Sequence, residues 1–254
     1  MPEEEEFRKM QLITIQKGVF CALRPSLWRL LSMRIAPAIE HREALSRLSF
    51  QTVVDVGANR GQFAVMARRL FPQAQIYSFE PLSEPAARFT EALGRDDRVR
   101  LFPCAIGPTS GPAKIYVTSK DDSSSLLKPG SAQREIFGEQ TARMDEIAVR
   151  RLSDCLEAGA IRGPALLKVD VQGGELDVLE GSADLINQFE ALYIECSFIH
   201  LYEGQPLFGD ISRWTEAHGF RLGGVYNQYV DPQHGPVQAD FLFLKTAPAG
   251  AGPR

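Results

Sequence analysis

No CxxC pair occurs in this chain. Its four cysteines, Cys21, Cys104, Cys155 and Cys196, are widely scattered. Zinc-ribbon and disulfide-framework spacings are therefore absent, and the cysteines read as reduced thiols of a cytoplasmic protein. Nor does any stretch reach the roughly 20 apolar residues that a membrane span needs. Residues 11–38 come closest, and Lys17, Arg24, Arg29 and Arg34 interrupt them. Excess positive charge is missing as well: the net charge is −4 over 254 residues, with no basic tract to suggest nucleic acid as a partner. The opening Met-Pro-Glu-Glu-Glu-Glu is acidic where a secretory signal is basic. No internal repeat is visible.

Two nucleotide-binding signatures are absent too. A dinucleotide turn reads G-x-G-x-x-G, but here Asn59 stands where the central glycine would admit a pyrophosphate. No G-K-S/T follows to make a P-loop. What is present is Val53-Val54-Asp55-Val56-Gly57-Ala58-Asn59-Arg60-Gly61. A short apolar strand ends in an acid and runs into glycines, and a helical pattern with Phe63, Ala67 and Leu70 on one face follows. Strand, glycine turn and helix in that order suit a nucleotide-type ligand without a bulky anion.

Strands and helices then alternate with short connections, which predicts a mostly parallel sheet wrapped by helices. The strands are expected at Val53–Val56, Gln75–Phe79, Val99–Phe102, Ala165–Val171 and Ala191–Cys196, and the helices at Gln62–Leu70 and Glu84–Leu93. Phe220–Tyr226 and Ala239–Leu244, joined by a Pro/Gly-containing turn, predict a closing antiparallel hairpin. Residues 9–49 predict a helical cap, with Leu27, Leu30, Leu31, Ile35 and Ala38 at helical spacing. Residues 118–144 are polar and read as a long loop, either a lid or a linker, before a strand at Ile147–Leu152. The expected division is a helical extension over 1–49, a catalytic domain over 50–246 and a flexible tail over 247–254. Two copies could pair through the N-terminal helices.

Glu80 closes the second strand, where an acid can accept two hydrogen bonds from a ribose diol. Asp170 ends a nearly all-apolar strand. In a parallel sheet Asp55, Glu80 and Asp170 would surround one crevice, an arrangement suited to a cationic sulfonium. These blocks together resemble the FkbM family of S-adenosylmethionine (SAM)-dependent methyltransferases. The carrying residues are Asp55–Gly61, Phe79-Glu80-Pro81, Lys168–Leu176, Val178–Gly181, Ile194–Phe198 and Leu201–Gln205. The resemblance spans about 53–245 and implies a Rossmann-like methyltransferase fold. It departs at Gln172, where many members carry Glu, and at Ser153.

The resemblance further implies that Asp55, Gly57, Ala58, Asn59 and Gly61 hold the methionine part of SAM. Glu80 and Pro81 would meet the ribose, Ala105 with Cys104 and Ile106 the adenine, and Asp170 the sulfonium side. The implied reaction is methyl transfer to a hydroxyl of a sugar, glycan or secondary metabolite. Glu175, Glu195 and His200 are the candidate bases, His200 being the histidine nearest the expected cleft. A divalent ion on Asp170, Glu195 and Asp240 is a lesser option, and no metal is assigned. Ser123–Ser125 with Lys120 or Lys128 could bond an acceptor, and Tyr202, Trp214 and Tyr226 could stack on one. The competing readings are a non-catalytic SAM-binding or interaction protein and an NAD-dependent oxidoreductase.

Overall fold

The computed structural model describes residues 15, 17, 18, 28–33, 35–118, 123–138 and 140–246. The expected acidic start, the expected tail at 247–254, Cys21 and Lys120 lie outside them. In chain order the helices are α1 (Trp28–Ser32), α2 (Arg42–Leu45), α3 (Gln62–Leu70), α4 (Ser83–Leu93), α5 (Ser131–Phe137), α6 (Leu152–Cys155), α7 (Glu175–Gly181) and α8 (Phe208–Ala217). The strands are β1 (Thr52–Val56), β2 (Gln75–Phe79), β3 (Val99–Phe102), β4 (Ala105–Ile106), β5 (Gly111–Thr118), β6 (Thr141–Arg150), β7 (Ala165–Val169), β8 (Ala191–Ser197), β9 (Phe220–Asp231) and β10 (Gly235–Lys245).

Seven strands form one sheet in the order β3-β2-β1-β7-β8-β10-β9. The first five are mutually parallel, and β10 runs antiparallel to both β8 and β9. This is the expected Rossmann-like sheet with its closing hairpin. Strands β1 and β7 are buried along their whole length, as central parallel strands must be. Alternate residues feed two cores: Val54, Val56, Leu167 and Val169 face one, while Val53 and Leu166 join Phe63, Ala67 and Tyr193 in the other. The switch in strand order between β1 and β7 opens a crevice at their carboxyl ends, where ligands of such sheets bind.

Three expectations need correction. The N-terminal helical face breaks: Ile35 and Ala38 are buried in non-helical chain at Pro37, and a 3₁₀ turn over Ile39–His41 follows. The segment 118–144 is not one loop, since it holds α5 and the start of β6. That start escaped the hydrophobic pattern because residues 141–144 are exposed and pair only with β5. Strand β6 pairs with β4 and β5 in a separate three-stranded sheet. The chain from Ser123 onward is also tied down. Ser125 Oγ donates to the Gln172 carbonyl at 2.5 Å, Tyr202 Oη donates to the Ser123 carbonyl at 3.0 Å, and Gly130 N–H donates to the Leu201 carbonyl at 2.8 Å.

Candidate functional site

A cavity sits at the carboxyl ends of β1, β2 and β7. Gly57, Ala58, Asn59, Phe79, Glu80, Pro81, Ala105, Ile106 and Asp170 line it on the sheet side. Glu40, His41, Ser124 and Leu126 close the other side. The first turn is shaped by backbone. Gly57 and Ala58 N–H both donate to the Phe79 carbonyl, at 3.1 and 3.0 Å. Gly57 has φ +81°, and a Cβ there would stand 1.8 Å from the Asp170 carbonyl oxygen. The glycine therefore admits the neighbouring turn of β7, as well as any ligand. Gly61, also left-handed at φ +93°, faces Phe89 and Leu93 rather than the cavity.

Glu80 is held rigidly. Its Oε2 accepts the Asn59 N–H at 2.9 Å and its Oε1 accepts the Leu82 N–H at 2.8 Å. A carboxylate oxygen can accept more than one hydrogen bond. Asn59 Oδ1, Gln62 Oε1 and Glu40 Oε2 are buried without a hydrogen-bond partner among the described residues, and all three residues line the cavity. Such acceptors are costly to bury unless a ligand brings donors to them.

Asp55 does not join the cavity wall. It is fully buried and lies beside Lys168 across the β1–β7 ladder. Lys168 Nζ is 3.2 Å from Asp55 Oδ1 and 3.4 Å from Asp170 Oδ2, and it donates to the Gly57 carbonyl at 3.1 Å. Burial opposes its charge, but the two carboxylates outweigh burial and raise its pKa. Burial also raises the Asp55 carboxyl, partly offset by Lys168. The sequence reading named three acids around one pocket. The structure neutralises two of them with a lysine whose signal was a lone cation inside the apolar run 165–171.

The three candidate bases are placed off the cavity. His200 is exposed on the loop after β8. Glu195 accepts amide hydrogens from Gln172 at 2.8 Å and Gln238 at 2.8 Å, and burial followed by Asp170 and Asp240 pushes its carboxyl well up. Glu175 accepts the Gly173 N–H at 2.8 Å, and burial pushes its carboxyl up to about 7. The folded state therefore holds an extra proton between the ordinary 4.5 and about 7. Stability contributed by this group falls as pH rises through that window and is level above it. Glu175→Gln is expected to flatten that decline and to gain roughly 3 kcal/mol near pH 8. Urea unfolding at about pH 5 and about pH 8 checks this, and an unchanged slope would refute it.

The histidine on the cavity wall is His41, not His200. Its Nδ1 lies 3.1 Å from Asp240 Oδ2 and 3.1 Å from Tyr193 Oη. Asp240 Oδ2 also accepts from Tyr193 Oη at 2.9 Å and Asn227 Nδ2 at 2.7 Å. Asp240 is thus bound up, and among the described residues no three His, Cys, Asp or Glu side chains converge as a metal ion needs. None of the proposed stacking aromatics lines the cavity. Tyr202 is buried against Gly173, Trp214 stacks on His218 at 3.7 Å, and Tyr226 packs on the second core. Lys128 pairs with Glu203 at 2.7 Å.

Residues 55–222 match the Methyltransferase FkbM domain. The chain belongs to the FkbM methyltransferase family. An FkbM relative, the 2-O-methyltransferase NoeI of Sinorhizobium fredii, is 35% identical over 178 residues, covering 65% of this chain and 72% of that protein. The 31-O-demethyl-FK506 methyltransferase FkbM of Streptomyces tacrolimicus is 27% identical over 192 residues, covering 67% and 72%. Among solved structures, a precorrin-6y C5,15-methyltransferase from Geobacter metallireducens aligns at a TM-score of 0.43 and 12% identity, covering 80% of this chain and 87% of that one. As an FkbM-domain protein the chain is a methyltransferase rather than an NAD-dependent oxidoreductase. No helix among the described residues is long and apolar enough to cross a membrane.

Proposed function

We propose that this protein transfers a methyl group from SAM to a hydroxyl oxygen of a sugar, glycan or secondary-metabolite acceptor. The observation that carries the donor half is Glu80, fixed by two backbone N–H groups at the end of β2 and facing a cavity with orphaned acceptors. Glu80 binds the ribose diol. Gly57, Ala58 and Asn59 take the methionine end, whose ammonium supplies donors to Asn59 Oδ1 and Gln62 Oε1. Pro81, Ala105 and Ile106 flank the adenine, and Asp170 lies on the sulfonium side. Asp55 acts at one remove by holding Lys168, and Gly61 sets the start of α3. SAM, when bound, supplies an electrophilic methyl carbon. The chain's task is to align an oxygen with it, an orientation effect. The oxygen acceptor is supported by the relatives named for 2-O and 31-O positions.

Calorimetric titration with SAM, S-adenosylhomocysteine and NAD tests the donor. Both adenosyl ligands should bind and NAD should not; the reverse would sink the reading. Glu80→Ala is expected to weaken S-adenosylhomocysteine about 100-fold, two hydrogen bonds to a carboxylate being lost. Unchanged affinity would remove the ribose role. Transfer of labelled methyl from SAM into a panel of hexopyranosides and 6-deoxyhexopyranosides then tests the acceptor class.

A further inference from the structure

We infer that His41, oriented by Asp240, is the general base that takes the proton from the acceptor hydroxyl. This rests on the methyl-transfer reading above. Asp240 is buried, and hydrogen bonds from His41, Asn227 and Tyr193 overcome the effect of burial and hold its carboxyl below the usual range. An ionised carboxylate can only accept, so in the neutral ring the proton sits on His41 Nδ1. Nε2 is then the bare lone pair, and it has no partner among the described residues. The ring cannot swing freely: Phe63 and Tyr193 meet it edge-on, each at 5.5 Å between centroids.

The support behind the ring is itself built at some cost. Strand β9 carries an extra residue against β10, since Tyr226 pairs with Asp240 and Tyr229 with Gln238. In that bulge Asn227 adopts φ +47°, a strained angle for a residue with a side chain, and it donates to Asp240. The other acids on the wall are engaged. Asp170 is held by Lys168 and Gln172, Glu80 by two N–H groups, and Glu40 Oε1 by Lys17 at 2.9 Å. The charged or titratable groups round the ring are Asp240, Tyr193, Asp55, the Glu40–Lys17 pair, and Lys168 beyond Phe63, 5.3 Å above that ring. His41 and Asp240 both lie outside the stretch matched by the family, 55–222.

In the step, Nε2 takes the hydroxyl proton as the acceptor oxygen forms its bond to the methyl carbon. The carbon–sulfur bond breaks with its electron pair left on sulfur, giving S-adenosylhomocysteine. Asp240 stabilises the imidazolium until it passes its proton to water. Removing such a base costs about 10²–10⁴-fold in rate.

Two measurements test this. In ¹⁵N-histidine-labelled protein at neutral pH, His41 should show the Nδ1–H tautomer, and added S-adenosylhomocysteine should shift its Nε2 resonance. Asp240→Asn should abolish the tautomer preference. An Nε2–H ring in the wild type would overturn the proposal, and this arm needs no acceptor. With whichever glycoside accepts methyl, His41→Gln should lower kcat at least 100-fold and leave S-adenosylhomocysteine affinity within about threefold. A retained rate, or loss of S-adenosylhomocysteine binding along with the rate, would equally overturn it. Failure of wild-type protein to bind SAM or S-adenosylhomocysteine would instead strike the donor reading, and this proposal with it.

Discussion

Lys168→Met is expected to destabilise the fold by about 3–5 kcal/mol, because it leaves a fully buried carboxylate without its counter-charge. Asp55 has no exposed surface, and its Oδ2 has no hydrogen-bond partner among the described residues. In the variant Asp55 can escape only by taking up a proton. Its folded pKa then lies above its unfolded one, so the folded state holds the extra proton. The loss should accordingly be smallest in mild acid and grow as pH rises. Urea unfolding of the wild type, Lys168→Met and Asp55→Asn/Lys168→Met across pH checks both parts. The double variant should recover most of the loss and show no such pH slope. A single variant within about 1 kcal/mol of the wild type would mean the pair is not the sealed ion pair described.

Gly57→Ala is expected to cost about 3 kcal/mol or more and to abolish S-adenosylhomocysteine binding together. A Cβ there meets the carbonyl of Asp170 at 1.8 Å, a backbone atom that can move only by parting the turns of β1 and β7. The φ of +81° adds its own penalty for an L side chain. At roughly 2–4 °C per kcal/mol, melting should fall by about 6–12 °C. Gly61→Ala is the control. Its Cβ would meet Leu93 and Phe89 side chains at 3.0 Å, and side chains can shift. It should lower stability but keep ligand affinity. If Gly57→Ala binds the ligand as the wild type does, the close approach of the two turns is not what shapes the site.

The parallel frame was legible because its signals are local. Apolar runs such as 165–169 and 191–194, each closed by a turn or an acid, can only be buried strands in a sheet of this kind. Glu80 and Asp170 were legible for the same reason, since each ends a strand. Contacts between distant segments were not. Nothing local says that Asp55 faces sideways onto Lys168, or that His41 reaches the cavity while His200 stays outside it. Tyr202 reads as an aromatic that could stack on an acceptor, yet its hydroxyl bonds Ser123 and Gln172 and the ring is buried. The exposed half of β6 has no apolar alternation because it covers no core.

The cavity has two walls of different descent along the chain. The donor wall comes from the ends of β1, β2 and β7 and is locked by Gly57 against Asp170. The facing wall comes from the N-terminal segment at 40–41 and from Ser124 and Leu126. These facing residues hang on the frame without forming its strands. Exchange of those segments between relatives is thus a route to new acceptors that leaves the methyl-donor machinery untouched. Chimeras that exchange the stretch around Ser124 and Leu126 and keep His41 are the natural place to look for altered acceptor choice.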